Sequence, residues 1–485
     1  MDGTYDVLIL GGGITGAGVA LDAALRGWRV GLIDKGDFAS GTSSVSSKLV
    51  HGGLRYLEQG AFHLVYEALH ERGLLLRNAP HLVHPLRFFM PIHRDGRLPT
   101  WKCRLGLTLY DLLAGRDNIR RSRPVSVHEL VHTCTGLKAT GLRGGAEFYD
   151  AQMDDARLCI EVLLSVAERG ATLANYAEAV GFDMSEGRID AVRVHDHVSQ
   201  EEGSIRARLV LNATGPWVDQ VCRLAGDPSG PHLQPTKGVH LVVPERGLPV
   251  GLFLLHPRDG RVFFVLPWMG KTLLGTTDTF TTAGPDSLTV DPADVAYILD
   301  GFNFYFEPSL GVDDVLGSFV GLRPLLRSSS AMPSSLSREA KVWQAPSGMV
   351  SAAGGKFTTY RRLAQTITDE LARLLGRRGR CRTMNFPLAG APREPWHEFL
   401  PKMVTTLCQR FTLPEPAARH LAQRYGRRAL DVAAYLNLDP ANRQPIRAGE
   451  PDLHAELAYQ RDHEMAVFEA DHLLRRTRLG LFGKR

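Results

Sequence analysis

The chain has few cysteines, and no two of them are close in sequence. None forms a Cys-x-x-Cys pair; the six are Cys103, Cys134, Cys159, Cys222, Cys381 and Cys408. A zinc or iron–sulfur centre usually needs clustered cysteines, and a disulfide framework is typical of shorter chains that are denser in cysteine. The sequence therefore predicts reduced thiols and no metal site.

The chain also lacks a long apolar run. Its most apolar stretch, residues 5–25, is interrupted by five glycines, and the sequence does not open on a basic segment followed by an apolar one. We therefore expect no signal peptide and no membrane-spanning helix. The prediction is a protein that is either soluble or peripheral on a membrane.

The chain has little net charge, only +5 over 485 residues, because its basic and acidic residues nearly balance. This small and scattered excess does not indicate nucleic-acid binding. It is compatible with a phosphorylated substrate or an anionic membrane surface. The length allows two or three domains with a substantial core.

A dinucleotide-binding fingerprint opens the sequence. Its parts are, in order, a strand at 5–10, the Gly-x-Gly-x-x-Gly turn with Gly11, Gly13 and Gly16, a helix at 17–26, a strand at 28–33, and Asp34. The glycines let a pyrophosphate approach the backbone at the positive end of the helix, and the acid can accept hydrogen bonds from ribose hydroxyls. A glycine-rich turn without a ligand is the alternative, but the complete order favours a dinucleotide. It does not separate NAD from FAD.

The segment at 42–56 favours flavin. Hydroxyl and glycine residues are concentrated in it, notably Thr42, Ser43, Ser44, His51, Gly52 and Gly53. Glycines let the backbone approach a flat ring, and hydroxyls can bind diphosphate oxygens. A solvated Ser/Thr loop is the alternative interpretation, but such a loop does not require His-Gly-Gly-Leu-Arg-Tyr directly after the hydroxyls.

Residues 41–58 closely resemble the matching stretch of the FAD-dependent, quinone-linked glycerol-3-phosphate dehydrogenase family. Further segments resemble it in the same order: Asp154-Asp-Ala-Arg157, Asn212-Ala-Thr-Gly-Pro-Trp217, Lys237-Gly-Val-His240, Pro267-Trp268, Gly275-Thr-Thr-Asp278, Gly321-Leu-Arg-Pro324, Gly354-Gly-Lys-Phe-Thr-Thr-Tyr-Arg361 and Leu474-Arg-Arg-Thr-Arg-Leu-Gly480. The resemblance spans nearly the whole chain.

The resemblance implies oxidation of sn-glycerol 3-phosphate to dihydroxyacetone phosphate, with hydride transfer to N5 of a non-covalently bound FAD. It implies a membrane quinone as the electron acceptor and a cytoplasmic protein that is peripheral on the inner face of the cell membrane. A homodimer is compatible with it. Nucleic acid is not an expected partner.

The family fold predicts an α/β protein with an added α-helical domain. A Rossmann-like FAD-binding domain of discontinuous segments would comprise about 1–80, 150–230 and 340–387. An antiparallel β-sheet substrate domain would comprise about 81–149 and 231–339, and residues 388–485 would form a helical C-terminal domain. Local patterns predict strands at 210–215, 239–243, 261–266, 272–275 and 349–355, and helices at 356–374, 396–411, 416–425 and 452–476. We expect Gly215, Gly354 and Gly355 to contact the cofactor, and the start of the 356–374 helix to face the flavin.

Oxidation of a secondary alcohol on flavin needs a proton acceptor and cations for the phosphate. His240 is the candidate base, although most histidines are simply hydrogen-bonded. Arg323 lies between apolar neighbours, so we expect it to bind phosphate rather than form an internal salt bridge. Lys356 is a third catalytic candidate that would bind substrate or stabilise anionic flavin; the alternative is an ordinary lysine at a helix N-terminus, which the helix dipole disfavours. By resemblance, Arg55 and Tyr56 would line the substrate pocket. Thr277 and Asp278 would border it, with a strand-end cap as the alternative for Asp278, and Arg338 would be a weaker second phosphate clamp, with surface solvation as its alternative.

Two other functions compete with this one. A glycerol-3-phosphate oxidase, which uses oxygen and releases hydrogen peroxide, has the same fold but carries a sizeable middle insertion that this sequence lacks. A flavin-binding protein for interaction or RNA modification would have a concentrated basic patch and no set of phosphate-binding and basic residues. The sequence favours the dehydrogenase.

Overall fold

The computed structural model describes residues 4–94, 99–230, 232–327 and 340–482. Arg338, the weaker phosphate-clamp candidate, lies outside the described residues. Within these ranges no helix is both long and apolar enough to cross a bilayer.

The described strands and helices are defined as follows. The strands are β1 (Tyr5–Leu10), β2 (Val30–Ile33), β3 (Leu49–Val50), β4 (Val83–His93), β5 (Arg123–Val125), β6 (Leu142–Met153), β7 (Thr172–Ala174), β8 (Ala177–Ser185), β9 (Arg188–Asp196), β10 (Glu202–Asn212), β11 (Thr236–Pro244), β12 (Gly251–Leu255), β13 (Val262–Trp268), β14 (Lys271–Gly275), β15 (Thr279–Phe280), β16 (Gly317–Arg323), β17 (Lys341–Gln344) and β18 (Val350–Ala353). The helices are α1 (Ile14–Leu25), α2 (Arg55–Glu58), α3 (Phe62–Asn78), α4 (Thr100–Ala114), α5 (Val127–Thr133), α6 (Asp155–Ala167), α7 (Val218–Leu224), α8 (Pro292–Tyr305), α9 (Tyr360–Leu374), α10 (Trp396–Phe411), α11 (Glu415–Tyr425), α12 (Ala429–Ala434), α13 (His454–His463) and α14 (Glu469–Asp471).

The first sheet has the strand order β17-β18-β10-β1-β2-β7, with the β8–β9 hairpin attached to β10. Strand β1 pairs in parallel with β10 on one side and β2 on the other. Every residue of β1 is buried, as expected for a parallel strand that is covered on both faces. Side chains of α1, α6 and α9 pack together with β1 and β2 in one apolar cluster. The Rossmann-like prediction is confirmed.

The second sheet is largely antiparallel. It has the order β15-β11-β14-β13-β12-β4-β6-β3, with β16 paired to β11 and β5 to β6. Strand β11 runs between β14 and β16, so both of its edges are hydrogen-bonded. Short β3, which belongs to the segment after the fingerprint, pairs with β6 and ties that segment to the second sheet. The antiparallel prediction is confirmed.

The C-terminal region is helical, as predicted, and its core is formed by α10, α11, α12 and α13. The prediction of a single helix over 452–476 is wrong. The chain instead forms α13, the short α14 and a π-helical turn at His472–Arg476. Met465, between α13 and α14, has a φ of 54°, which an L-residue cannot adopt inside a right-handed helix.

Helix α9 also begins later than predicted, at Tyr360 instead of Lys356. Gly354 and Gly355 have φ values of 85° and 86°, and the backbone turns once more before the helix starts, with the Thr359 amide donating to the Lys356 carbonyl. Lys356 therefore lies in a loop, and the helix N-terminus is several residues away from the paired glycines.

Candidate active site

A cavity of about 1100 Å³ is lined by residues of both sheets. This exceeds the usual size of a small-molecule pocket, so it can hold a dinucleotide together with a small substrate. Among the predicted site residues, the ones that line it are Gly11, Gly13, Asp34, Thr42, Ser43, His51, Gly215, His240, Arg323, Gly354, Gly355 and Lys356. The topology thus gathers residues separated by more than 300 positions in the sequence.

The turn between β1 and α1 forms an open cradle at one part of the wall. Gly11 has a φ of 107°, and a Cβ there would lie 2.7 Å from the carbonyl oxygen of Ala213, so only glycine fits. Gly13 is the N-cap of α1 and offers no side-chain cap, while the Ile14 amide donates to Ser43 Oγ at 2.9 Å. No acidic residue occupies the first turn of α1. The helix N-terminus is therefore suited to an anionic group.

Asp34 follows β2 and faces the same cavity. Its carboxylate accepts hydrogen bonds from the amides of Gly12, at 2.6 Å, and Gly36, at 2.9 Å. Burial raises the pKa of Asp34 to about 6, even though these two hydrogen bonds favour the ionised form. Two fixed amide contacts orient the carboxylate and leave acceptor capacity for a hydroxyl donor in the cavity.

Lys356 lies in the loop after β18, where it lines the cavity. Its Nζ is 3.7 Å from the centre of the Tyr56 ring, a distance at which a cation is attracted to the ring face. Tyr56 does not itself line the cavity, and it is buried behind Lys356. The pair places a positive charge on the wall next to the paired glycines.

His240 is on β11, opposite Gly275 of β14 and Phe319 of β16. Its ring stacks on Phe319 of β16 with 5.0 Å between centres, and a Cβ on Gly275 of β14 would lie 2.3 Å from His240 Cδ2. Nε2 is 2.9 Å from Ser47 Oγ, and buried Nδ1 has no hydrogen-bond partner in the described ranges.

The electrostatic surroundings keep this imidazole neutral. Burial, followed by the positive charges of Arg323 and Lys48, lowers the pKa of His240 well below its ordinary value of 6.5. At neutral pH the ring therefore has a free lone pair, which a proton acceptor needs.

Arg323 ends β16 and lies against Gly238 of β11, where a Cβ would be 2.4 Å from its Nη2. Its guanidinium donates to Asp278 Oδ1 at 3.2 Å and to Thr276 Oγ1 at 3.1 Å. The expectation that Arg323 would not form an internal salt bridge is wrong. The sequence pattern did not show that the loop carrying Asp278 folds back beside it. The guanidinium nevertheless lines the cavity, so the ion pair fixes its position on the wall.

Several predicted residues lie behind the cavity wall. The Gly52 amide donates to Tyr110 Oη at 2.8 Å, and Thr277 Oγ1 accepts from the Val239 amide at 3.0 Å. The predicted residues outside the lining are Gly16, Ser44, Gly52, Gly53, Arg55, Tyr56, Thr277 and Asp278. Chain order alone does not reveal which of the predicted residues line the cavity and which do not.

A buried charge cluster beneath the hydroxyl-rich segment was missed by the sequence reasoning. Lys48 Nζ donates to both oxygens of Asp155 at 2.8 Å and to the Ser44 carbonyl at 2.6 Å. Arg478 donates to Asp154 at 2.7 Å and also contacts Asp155. The C-terminal segment thereby fixes the loop that carries the His240 partner Ser47. Asp154, Asp155 and Arg478 lie in the family-like motifs at 154–157 and 474–480. Nothing in either motif indicates that Arg478 pairs with the two aspartates.

Comparison with known proteins gives matches along the whole chain. Residues 6–361 match the family described as FAD dependent oxidoreductase, and residues 381–485 match the C-terminal domain of alpha-glycerophosphate oxidase. The chain is 36% identical over 491 residues to an aerobic glycerol-3-phosphate dehydrogenase of Staphylococcus saprophyticus. It is 37% identical over 489 residues to the protein of the same name from Bacillus subtilis. Each alignment covers 98% of this chain and 87% of the relative.

Solved structures also resemble this one. The glycerol-3-phosphate dehydrogenase from Bacillus halodurans complexed with FAD superposes with a TM-score of 0.82 at 31% identity, covering 99% of this chain and 87% of that one. The FAD-bound L-alpha-glycerophosphate oxidase from Mycoplasma pneumoniae gives a TM-score of 0.60 at 17% identity, covering 79% of this chain and 97% of that one. The second likeness shows a shared fold only.

Proposed function

Since the chain belongs to the family of FAD-dependent oxidoreductases, we propose that it oxidises sn-glycerol 3-phosphate to dihydroxyacetone phosphate and passes the electrons to a membrane quinone. The observation that carries the proposal is one cavity in which a fixed arginine and a neutral histidine face the same space as a pyrophosphate cradle. Relatives and a solved neighbour bearing the name glycerol-3-phosphate dehydrogenase support this choice of substrate.

The residues around the cavity fit FAD. The N-terminus of α1 and the hydroxyl of Ser43, which accepts from the Ile14 amide and keeps its own proton to donate, would bind the pyrophosphate. The Thr42 hydroxyl donates to the Leu322 carbonyl at 2.7 Å, and Asp34 would accept from a ribose hydroxyl. The loop with Gly354 and Gly355 lets the backbone approach a flat ring. When bound, FAD supplies the acceptor for the hydride that leaves the substrate carbinol carbon. With no attachment motif in the sequence, we propose that it is held non-covalently.

The remaining wall residues would handle the substrate. Arg323, oriented by Asp278, would bind the phosphate through its planar guanidinium. His240 would accept the proton from the substrate hydroxyl, since its pKa is low enough to keep it unprotonated at neutral pH. Lys356 adds positive charge on the same wall and would stabilise negative charge that develops during oxidation.

The electron acceptor separates a quinone-linked enzyme from an oxidase. The choice of a quinone is supported by the relatives being named dehydrogenases and not oxidases. It carries with it a peripheral position on the inner face of the cell membrane. Family resemblance adds a homodimer to the proposal.

The test is an assay of the purified holoenzyme with sn-glycerol 3-phosphate. Bleaching of the flavin band under anaerobic conditions, followed by reduction of a quinone analogue, is the expected result. Oxygen uptake with stoichiometric peroxide, and no faster reaction with the quinone, would establish the oxidase. Absence of bleaching by the phosphate ester, or equal bleaching by unphosphorylated glycerol, would refute the substrate assignment.

A further inference from the structure

The motif at 474–480 contains two arginines whose role the proposed function does not explain. Arg475 and Arg476 both form ion pairs with Asp37, and Arg476 contacts both oxygens of that carboxylate. All three side chains are buried, and Asp37 lies in the loop after β2, three residues beyond Asp34. Because a two-pronged contact between arginine and a carboxylate fixes geometry as well as charge, the motif docks the C-terminal region onto the loop that carries the proposed ribose acceptor.

A second buried carboxylate, Asp471 of α14, fixes the backbone just before this motif. It accepts hydrogen bonds from Tyr176 Oη at 2.6 Å and from the amides of Val467 and Phe468 at 2.8 and 2.9 Å. Tyr176 lies between β7 and β8, which belong to the first sheet. The position of Phe468 relative to the first sheet is therefore set by a fully buried carboxylate.

Phe468 brings the C-terminal region to the cavity. Among the described residues that line the cavity, Phe468 alone comes from residues 388–485. Its ring meets Tyr176 edge to face, with 4.9 Å between ring centres, and the residue is still 48% exposed. The adjacent Val467 is 43% exposed but does not line the cavity. An aromatic ring held in this way offers an apolar face to whatever occupies the cavity.

The part of the cavity beside Phe468 is where the adenosine of a dinucleotide is expected. The amides of Tyr176 and Ala177 donate to the carbonyls of Gly36 and Asp34, at 3.0 and 2.8 Å, so Phe468 and its partner Tyr176 lie beside the proposed ribose acceptor. In a dinucleotide-binding turn, the acid after the second strand holds the ribose next to the pyrophosphate, and the attached base extends past that acid. In FAD this base is adenine, whereas the isoalloxazine ring would lie towards the paired glycines after β18.

We propose that the C-terminal domain completes the cofactor site: Phe468 packs against the adenine of FAD, and the ion pairs of Arg475 and Arg476 with Asp37 hold it there. Every nucleobase has a flat π face on which an aromatic side chain can stack. Because the cofactor and the docked segment both engage the loop at 34–37, each stabilises the other. The alternative is a contact between Phe468 and Tyr176 that serves the fold alone and leaves flavin retention unchanged.

The inference rests on the non-covalent FAD of the proposed function, but not on its substrate or its electron acceptor. A holoenzyme that fails to oxidise glycerol 3-phosphate, yet releases flavin in the pattern given below, would overturn the proposed substrate and leave the role of Phe468 standing.

The test measures how fast FAD leaves the holoenzyme after dilution, from the rise in flavin fluorescence. Wild type is compared with Phe468→Ser, which removes the ring, and with Phe468→Tyr, which keeps it. The matched control is Val467→Ser, because Val467 is the next residue in the chain and is similarly exposed but lies outside the cavity lining. Release from Phe468→Ser should be about 5- to 150-fold faster than from wild type, whereas Phe468→Tyr and Val467→Ser should both stay close to wild type.

Equal release from Phe468→Ser and Val467→Ser would overturn the contact with the cofactor. Release from Phe468→Tyr as fast as from Phe468→Ser would overturn stacking as its cause. The visible absorption maximum of the bound flavin should be the same in Phe468→Ser as in wild type, because the isoalloxazine ring lies at the other end of FAD. A shifted maximum would overturn the assignment of Phe468 to the adenine end.

A second measurement tests the mutual stabilisation in the wild-type protein. Peptides that cover residues 465–478 should take up deuterium faster after FAD has been removed, because the docked segment loses its contact with the cofactor. Peptides from α10, none of whose residues lines the cavity, serve as the internal control and should be unchanged. Equal uptake at 465–478 with and without FAD would overturn the link between the C-terminal domain and the cofactor.

Discussion

Replacing Arg323 with alanine is expected to damage recognition of the phosphate in two ways. It removes the cation, and it leaves the carboxylate of Asp278, now held 3.2 Å from Nη1, without its ion-pair partner beside an anionic substrate. Truncating one partner of a buried charge pair typically costs about 2–5 kcal/mol. We therefore expect kcat/KM for glycerol 3-phosphate to fall roughly 30-fold to several-thousand-fold, mainly through KM.

The contribution of Asp278 can be separated with a second substitution. At a separation of about 6 Å, the Asp278 carboxylate would repel one unit of negative charge on the substrate phosphate by about 3 kcal/mol at an effective dielectric constant near 20. In Arg323→Ala/Asp278→Asn this repulsion is gone, so the double variant should recover roughly tenfold or more of the kcat/KM lost in the single variant. Arg323→Lys should be intermediate, because an ammonium keeps the charge but not the planar fork.

Steady-state dye reduction measures all three variants, with unphosphorylated glycerol as the control substrate and the flavin absorbance as the control for folding. The weak reaction with glycerol should be the same in wild type and Arg323→Ala. Unchanged kinetics with the phosphate ester, or an equal loss with both substrates, would refute the phosphate-binding role. A double variant no better than Arg323→Ala would show that the charge of Asp278 does not reach the substrate.

The other predictions concern the base, the cofactor cradle and the buried charges. His240→Asn should lower kcat about 10²- to 10⁴-fold with the flavin retained. Because the pKa of His240 is held well below 6.5, the acid limb of wild-type kcat at saturating substrate should lie below pH 6.5, where the imidazole becomes protonated. A pH series in which kcat falls with a midpoint at 6.5 or higher would contradict this. Gly13→Val should give a folded but colourless protein. A Cβ at this position meets only Ser43 Oγ, at 3.2 Å, so the fold should tolerate it, whereas the branched side chain would obstruct the pyrophosphate. A purified variant with full flavin absorbance would argue against the cradle. Asp155→Asn should lower the free energy of unfolding in urea by about 3–5 kcal/mol, because Lys48 and Arg478 would remain buried without their carboxylate. Burial alone would raise the pKa of Asp155, but Lys48 and Arg478 hold this pKa below 3.8. The stabilisation that Asp155 gives to the fold is therefore present above pH 3.8 and is lost as the pH falls through the lowered pKa. An unchanged urea midpoint of Asp155→Asn at neutral pH would contradict the stabilising role of the cluster.

Some of the site could be predicted because its determinants are local. The turn at 11–16 needs glycine where a backbone must approach a phosphate, and strand, turn, helix and Asp34 follow in an order that few other structures require. His240 and Arg323 were found through motif resemblance. Strands β11 and β16 are paired, with His240 opposite Phe319 and Thr236 opposite Arg323. This pairing explains how His240 and Arg323 reach one cavity.

Other features could not be predicted, since they depend on which distant segments pack together. The late start of α9 follows from two glycines whose positive φ values are set by the loop they form. The pairing of Arg323 with Asp278 depends on how the loop after β14 returns to β16.

Glycine spacing in the sequence determined a dinucleotide-binding turn, because it acts over neighbouring residues. The choice of FAD followed from the hydroxyl-rich segment at 42–56 and the family resemblance, and the two kinds of sheet and the helical C-terminal region followed from local apolar patterns and the same resemblance. Only the tertiary structure decided which charges meet. Asp155 and Arg478 are 323 positions apart, and nothing in the sequence around either residue encodes the other. A buried charge needs a partner, but the partner is chosen by the packing of whole segments in three dimensions.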